Sequence, residues 1–359
     1  MAANLHTLML APMAELSHRA LRELIFKFIT STIPNSAGSA SQMDIVYFTE
    51  MISAPGLLAG GPLEKWYLDN GPCPQQLVYQ LVGAEPDHLV KAAALLDRQE
   101  CLGININMGC CAPAITRTGA GVRWMEDSGK AARLIERIRR ITKKQLGVKI
   151  RLGPKTGRNG DFFTKIPDNG DQPGSEPETE PLRDLPFLLR YCRTLEDAGL
   201  DIIILHPRTA AEKLKRRAQW GYVETLRKEL KIPIAGNGDI NSIEELASKA
   251  GEGKVMAGRL LVREPWAFAA VLAFSEGRPK NSLKFNQKIN IEETGLHFLE
   301  LLTRHQPPEF HLSRARRFFR YYCDNVTWAE HLRNKINREE NLAGIGQAWR
   351  AYFAGGDCD

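Results

Sequence analysis

Eight short apolar runs rich in β-branched residues recur along the first 260 residues, at 7–12, 44–50, 76–82, 103–108, 148–152, 201–206, 232–236 and 254–258. Each run is followed by a turn and in most cases by a stretch of helical period, clearest at 85–97, 129–144 and 185–198. The runs are apolar throughout instead of alternating, as strands buried on both faces are. Alternation of strand and helix predicts parallel βαβ units, and eight of them close naturally into a (β/α)8 TIM barrel of α/β class. A doubly wound open sheet is the competing fold. It would place a Gly-x-Gly-x-x-Gly turn after the first strand, and Ala11-Pro-Met-Ala-Glu-Leu16 has no such pattern.

The pattern changes beyond Pro279. Only helical periods follow, at 291–305, 312–322, 328–337 and 342–353, with Gly277, Pro279, Pro307 and Pro308 at the junctions. Two domains are predicted: residues 1–277 as the barrel, and residues 278–359 as a small all-α helical domain. Inside the barrel, residues 154–184 are rich in Gly, Pro and acids and cannot build a core. They read as a mobile loop after strand five.

Composition narrows the class. Among 359 residues, 43% are apolar and 25% charged, which is ordinary for a soluble globular chain and excludes global disorder. Seven cysteines without a Cys-x-x-Cys pair argue for reduced thiols and against a structural metal site, so no metal is expected. Cys110 and Cys111 are adjacent, and a strained vicinal disulfide is the alternative to two free thiols. The start, Met1-Ala-Ala-Asn-Leu-His6, lacks the basic-then-apolar signal-peptide pattern, and no apolar run is long enough to span a bilayer. A cytoplasmic protein with no membrane partner, acting as a monomer, is expected.

Lys plus Arg exceed Asp plus Glu by 48 minus 42, a net charge of +6. Its placement says more than its size. Arg314, Arg316, Arg317 and Arg320 fall within seven residues, interleaved with Phe318, Phe319, Tyr321 and Tyr322. Two readings stay open: a solvated basic face above a buried aromatic one, or a surface for a polyanion such as RNA.

Polar groups collect where the runs end, on the face where barrel enzymes carry their chemistry. Strand one ends in Ala11-Pro12-Met13, strand three carries Gln80, and strand four ends in Asn107-Met-Gly-Cys110. Strand five carries Lys149 and Arg151, and strand six ends in His206-Pro-Arg208. Strand seven ends in Asn237-Gly238-Asp239, and strand eight in Gly258-Arg259. Such groups are costly in apolar strands unless they meet partners or a ligand. Glycines after strands seven and eight suit a phosphate, and Arg259 adds a charge-assisted contact to it. Lys149 would neutralise charge on a ring as it is reduced, which favours FMN over a sugar phosphate.

These segments resemble the tRNA-dihydrouridine synthases, in order along nearly the whole chain. Leu10-Ala-Pro-Met-Ala-Glu-Leu-Ser-His-Arg-Ala-Leu-Arg22 is similar to the family's Ala-Pro-Met start, and Asn107-x-Gly-Cys110 to its Asn-x-Gly-Cys-Pro signature. Thr49-Glu50-Met51, Gln80-Leu-Val-Gly83, Val148-Lys-Ile-Arg-Leu-Gly153, His206-x-Arg-Thr209, Asn237-Gly-Asp239 and Met256-x-Gly-Arg259 match further motifs. The chain departs from the pattern at Cys111, where proline is usual, at Pro207 for glycine, at Leu214 for tyrosine, and in the length of 154–184.

The resemblance implies FMN bound by Ala11, Pro12, Met13, Gln80, Lys149, His206, Asn237, Gly238, Asp239, Gly258 and Arg259, with NADPH as transient reductant. It implies Cys110 as proton donor to C5 of a uracil that takes hydride at C6. Asn107 and Arg208 would lie near the target base, and Arg314, Arg316, Arg317 and Arg320 would hold the tRNA. The rival activities are an FMN barrel acting on a free pyrimidine or other small molecule, and an RNA-binding scaffold without catalysis.

Overall fold

A computed structural model describes residues 6–32, 43–153, 185–212, 215–275 and 289–355 of the chain. The segment 154–184, the junction around Gly277 and Pro279 with the boundary expected there, and Leu214 lie outside the described residues. Eight parallel strands close into a barrel in chain order: β1 (Thr7–Leu10), β2 (Asp44–Ser53), β3 (Leu77–Val82), β4 (Gly103–Met108), β5 (Gln145–Ile150), β6 (Ile202–Leu205), β7 (Ile234–Asn237) and β8 (Val255–Ala257). The pairings are parallel, with Leu8 beside Ile45 of β2 and Val255 of β8, and Val148 beside Ile203. The TIM-barrel expectation is met.

Strand boundaries move where side chains add hydrogen bonds that period alone does not reveal. β5 starts three residues before the expected 148 because the Asp201 carboxylate accepts Leu146 N–H at 2.7 Å and extends the pairing. β2 runs on to Ser53, whose hydroxyl then caps the following helix, α2 (Ala54–Ala59), by accepting from Gly56 N–H. Helices fill the gaps between strands. The first, α1 (Arg19–Thr32), buries Ala20, Leu21, Leu24, Ile25 and Ile29 along one stripe.

The described residues form two compact units. Unit 1 comprises residues 1–80, 98–103 and 240–359, and unit 2 comprises 81–97 and 104–239. Unit 1 contains four C-terminal helices, here called C1 (Ile291–His305), C2 (Pro308–Tyr322), C3 (Ala329–Arg338) and C4 (Leu342–Phe353). Asn290 and Asn341 cap C1 and C4 by accepting from Glu293 N–H and Gly344 N–H. Their common core is aromatic: Phe298 stacks on Phe318 and Phe319 leans on Trp349. Gly295 is required there, since a Cβ would stand 2.6 Å from Trp349 Nε1. Among the described residues no helix is long and apolar enough to cross a membrane.

Candidate active site

In unit 2 the chemistry begins at the end of β4. Asn107 Oδ1 accepts from Gly109 N–H at 3.3 Å and Cys110 N–H at 2.9 Å, which folds the chain off the strand and sets Cys110 at its carboxyl end. Gly109 passes close to β5, where a Cβ would stand 3.1 Å from the Lys149 carbonyl oxygen. The Cys110 carbonyl accepts from Val122 N–H at 3.0 Å. Gly121 allows that approach, with φ at 65° and no room for a Cβ beside the Cys110 oxygen. Cys110 and Cys111 are both half-buried free thiols. Burial pushes the Cys110 thiol up, opposed by a backbone hydrogen bond from Ala112 and by the charges of Arg151 and Lys149.

Lys149 faces the same thiols. Burial of its ammonium, then the neighbouring Arg151 guanidinium, lowers its pKa to about 7. It makes no hydrogen bond or ion pair with any described residue. Arg151, a residue for which the sequence suggested no role, ties two loops together. Its Nε donates to the Gly109 carbonyl at 3.0 Å and its Nη1 to the Thr209 carbonyl at 3.3 Å.

A second cluster gathers at the ends of β6 and β7. Arg208 Nη2 donates to both Asp239 carboxylate oxygens, at 2.5 and 2.6 Å, and Nη1 to His206 Nε2 at 3.0 Å. A guanidinium N–H can only donate, so Nε2 is the acceptor and the ring proton of His206 sits on Nδ1. Asp239 takes a left-handed backbone, φ 52°, tolerated by a short polar side chain. Gly238 beside it has φ 122°, and a Cβ there would meet the His206 ring at 3.0 Å. Trp220, another residue that sequence reasoning passed over, packs against Gly236 and donates from Nε1 to the Gly238 carbonyl at 3.1 Å. A tryptophan at the start of a helix, here just before Gly221–Glu229, reads as ordinary packing, so only the contact reveals its support of the glycine turn.

Unit 1 holds the other expected strand ends. Ala11 N–H pairs with the Ala257 carbonyl at 2.8 Å, and the Ser17 hydroxyl accepts from Met13 N–H at 2.9 Å. Gly258 fits against this turn, since a Cβ would stand 3.1 Å from Met13 Sδ and 3.4 Å from Ala11 Cβ. Arg259 is exposed, with no hydrogen-bond or ion-pair partner among the described residues. Gln80 is buried, its N–H donated to Thr49 Oγ1 at 3.1 Å. Buried Glu50, unsuspected as a partner of the C-terminal helices, accepts from Glu15 N–H at 2.6 Å and Arg314 Nη2 at 2.8 Å. Burial raises the Glu50 carboxyl and Arg314 opposes the rise.

The arginines of C2 separate accordingly. Arg314 is 2% exposed and lies over the Phe310 ring at 4.3 Å. Arg316 donates to the Glu339 carbonyl at 2.8 Å, Arg317 to Glu15 at 3.0 Å, and Arg320 is exposed. Arg316, Arg317 and Arg320, joined by Arg333, line a cavity of about 660 Å³ that also receives Glu15, Glu330 and Ser313. The structure thus brings three of the four together and leaves Arg314 in the core.

Comparison with known proteins follows the same residues. The family model "Dihydrouridine synthase (Dus)" matches residues 9–171 and 183–353. "tRNA-dihydrouridine synthase B" of Xanthomonas axonopodis pv. citri is 26% identical over 293 residues, spanning 80% of this chain and 78% of that protein. The "Probable tRNA-dihydrouridine synthase" of Rickettsia prowazekii is 24% identical, spanning 79% of this chain and 75% of its own. A mouse protein named as a "tRNA-dihydrouridine(47) synthase NAD(P)(+)-like" is 29% identical over 62% of this chain and 31% of its own length.

Proposed function

The chain belongs to the dihydrouridine synthase family, and we propose that it reduces the C5–C6 double bond of specific uridines in tRNA to dihydrouridine, with FMN bound and NADPH as reductant. One observation carries the chemistry: a half-buried thiol, pushed up by burial, at the carboxyl end of β4 lies in the electrostatic field of Lys149, a half-buried amine lowered to about 7 by desolvation and without an acceptor among the described residues. An ammonium left in that state calls for an anionic ligand group. FMN fits the requirement. In unit 2, Lys149, His206, Asn237, Gly238 and Asp239 would hold it. In unit 1, Ala11, Pro12, Met13 and Gln80 would do so, with Gly258 and Arg259 at its phosphate.

Bound and reduced, FMN would supply hydride to C6 of the uracil. Carbon 5 must then receive a proton, and the Cys110 thiol, kept neutral by burial, is its source. An anion beside Lys149 would hold charged an ammonium that desolvation draws towards the neutral amine. His206 presents its Nδ1 proton as a donor, with Arg208 fixing the tautomer. Arg208 is therefore assigned to positioning His206, and Asn107, whose Oδ1 shapes the Cys110 turn, to orienting the thiol beside the target base. A uridine must leave its stack to be reduced, so the RNA has to be gripped around it. Arg316, Arg317 and Arg320 are assigned to phosphate contact, and Arg314 to the core.

The lined basic cavity favours RNA over a free pyrimidine, which has no use for it. The test is to map dihydrouridine in tRNA from cells with and without this protein, and to offer the purified flavoprotein unmodified tRNA, uridine and dihydroorotate. Loss of dihydrouridine at defined positions and reduction of tRNA alone are expected. Turnover confined to the free pyrimidines would replace this reading with the small-molecule one, and a colourless protein unable to take up FMN would remove both.

A further inference from the structure

Two nucleophilic side chains stand next to each other at the end of β4, and the reduction of uridine uses only one of them. Cys110 and Cys111 are both half-buried and both reduced. They are held differently. Asn107 Oδ1 and Val122 N–H fix the amide and carbonyl of Cys110. The amide and carbonyl of Cys111 form no hydrogen bond with any described residue. The residues after it, Ala112 to Ala114, are exposed. Cys111 is therefore the member that can turn towards its neighbour, and the one a small solute reaches first.

Cations surround both sulfurs. The Arg151 guanidinium is tied to the carbonyl of Gly109, directly before Cys110, and Cys111 is the thiol whose charge it feels most. Lys149 feels both thiols as well. Negative charge developing on either sulfur thus meets two positive groups, the setting in which cysteines are oxidised.

We propose that Cys110 and Cys111 form an oxidative modification site, closing to a vicinal disulfide under hydrogen peroxide and reopening under a dithiol. The Cys111 sulfur attacks one peroxide oxygen, the O–O bond breaks, water leaves and a sulfenic acid remains. The Cys110 sulfur then displaces that hydroxyl, which departs with the Cys110 proton as a second water. The two thiols give up two electrons and the peroxide takes them, so no other reactant enters. Adjacent Cα atoms lie about 3.8 Å apart across a trans peptide such as this one, whereas an ordinary disulfide spans about 4.4–6.8 Å. The closed ring is strained, and strained disulfides are the readily reduced, regulatory ones. The effect on activity rests on the reading of Cys110 as proton donor: closure leaves no S–H for C5, and reduction of uridine stops.

The experiment treats the flavin-loaded full chain with excess hydrogen peroxide, blocks the remaining thiols by alkylation, and maps the peptides by mass before and after dithiothreitol. Dihydrouridine formation on unmodified tRNA is measured in the same samples. The peptide holding both residues should lose the mass of two hydrogens and escape alkylation, and activity should fall by ~10²–10⁴-fold, as for an absent acid. Dithiothreitol should restore both. Cys111→Ala, with flavin content and melting temperature reporting intact folding, should form no such bond. Its Cys110 should stay intact or pass to the sulfinic and sulfonic acids, which dithiothreitol does not reverse. Two thiols still open to alkylation in the treated parent overturn the proposal, as does a bond from Cys110 to any other cysteine. A folded Cys111→Ala that peroxide silences and dithiothreitol rescues as fully as the parent overturns it too. A closed ring with undiminished activity upholds the site and overturns the reading of Cys110 as proton donor.

Discussion

A proton donor has to hold its proton until the acceptor appears, and Cys110 and Cys111 differ in how they are built for that. Only Cys110 has its amide and carbonyl both fixed, by Asn107 and Val122. Cys110→Ala should retain flavin and its reduction by NADPH, yet lose dihydrouridine formation by ~10²–10⁴-fold. Cys111→Ala should keep most of it, and the reverse ranking in a single-turnover assay would reassign the donor. Lys149 gives a pH signature. With its pKa lowered to about 7, the folded flavin-free chain has released a proton that the unfolded chain still carries up to the ordinary lysine value. Unfolding therefore takes up a proton, and this group makes the apoprotein more stable as pH rises from about 7 towards that value. FMN binding at pH 8 should take up a proton as the ammonium regains its charge, which titration calorimetry in buffers of different ionisation enthalpy would detect. Arg259→Ala should weaken FMN retention by about 1.5–3 kcal/mol, the worth of a charged phosphate contact. Wild-type flavin content in that variant would place the phosphate elsewhere.

At the scale of elements, helix C2 shows how far local spacing reaches. The period of its arginines and aromatics indicates a basic face and a buried one, and C2 buries Ala315, Phe318, Phe319 and Tyr322. Spacing pairs Arg314 with Arg317 and Arg316 with Arg320, but it does not say which member turns inward. That depends on Glu50, 264 residues away in the chain, and no window along the helix contains it. Arg314→Ala should accordingly act on stability, costing about 3–5 kcal/mol in denaturant unfolding by stranding a buried carboxylate. Arg316→Ala/Arg320→Ala should remain stable and lose tRNA affinity with a shallower salt slope. Equal stability losses in both variants would mean that the two faces are not separated. The strands were legible for a related reason: parallel strands buried on both faces announce themselves as apolar runs whatever surrounds them. Their ends were less legible, because β5 begins where Asp201 reaches across to Leu146. As candidates, Cys110, Lys149 and His206 stand out in the sequence by type and order. The bracing by Arg151, Trp220 and Glu50 does not, since each acts through a contact made only in the folded chain.

For the whole molecule, a ligand that binds only the folded state stabilises it by mass action. FMN at about 100 times its Kd should add ~2.7 kcal/mol to unfolding, seen as a higher melting temperature, and Arg259→Ala should shrink that gain. A melting temperature indifferent to FMN would remove the cofactor from the reading. The arrangement of unit 1 matters before any ligand arrives. β1 lies against β8, the His6 ring reaches the Ala250 carbonyl at 2.8 Å, and Lys254 Nζ meets Thr7 Oγ1 across 247 positions of sequence. During synthesis at ~5–20 residues per second, Thr7 leaves the ribosome roughly 12–50 s before Lys254 does. For that interval a strand made of Thr-Leu-Met-Leu has β2 on one side and an open, unsatisfied edge on the other. The nascent chain thus carries a sticky margin through most of its manufacture, and the speed of translation and the chaperones at hand decide how many copies survive to close the ring.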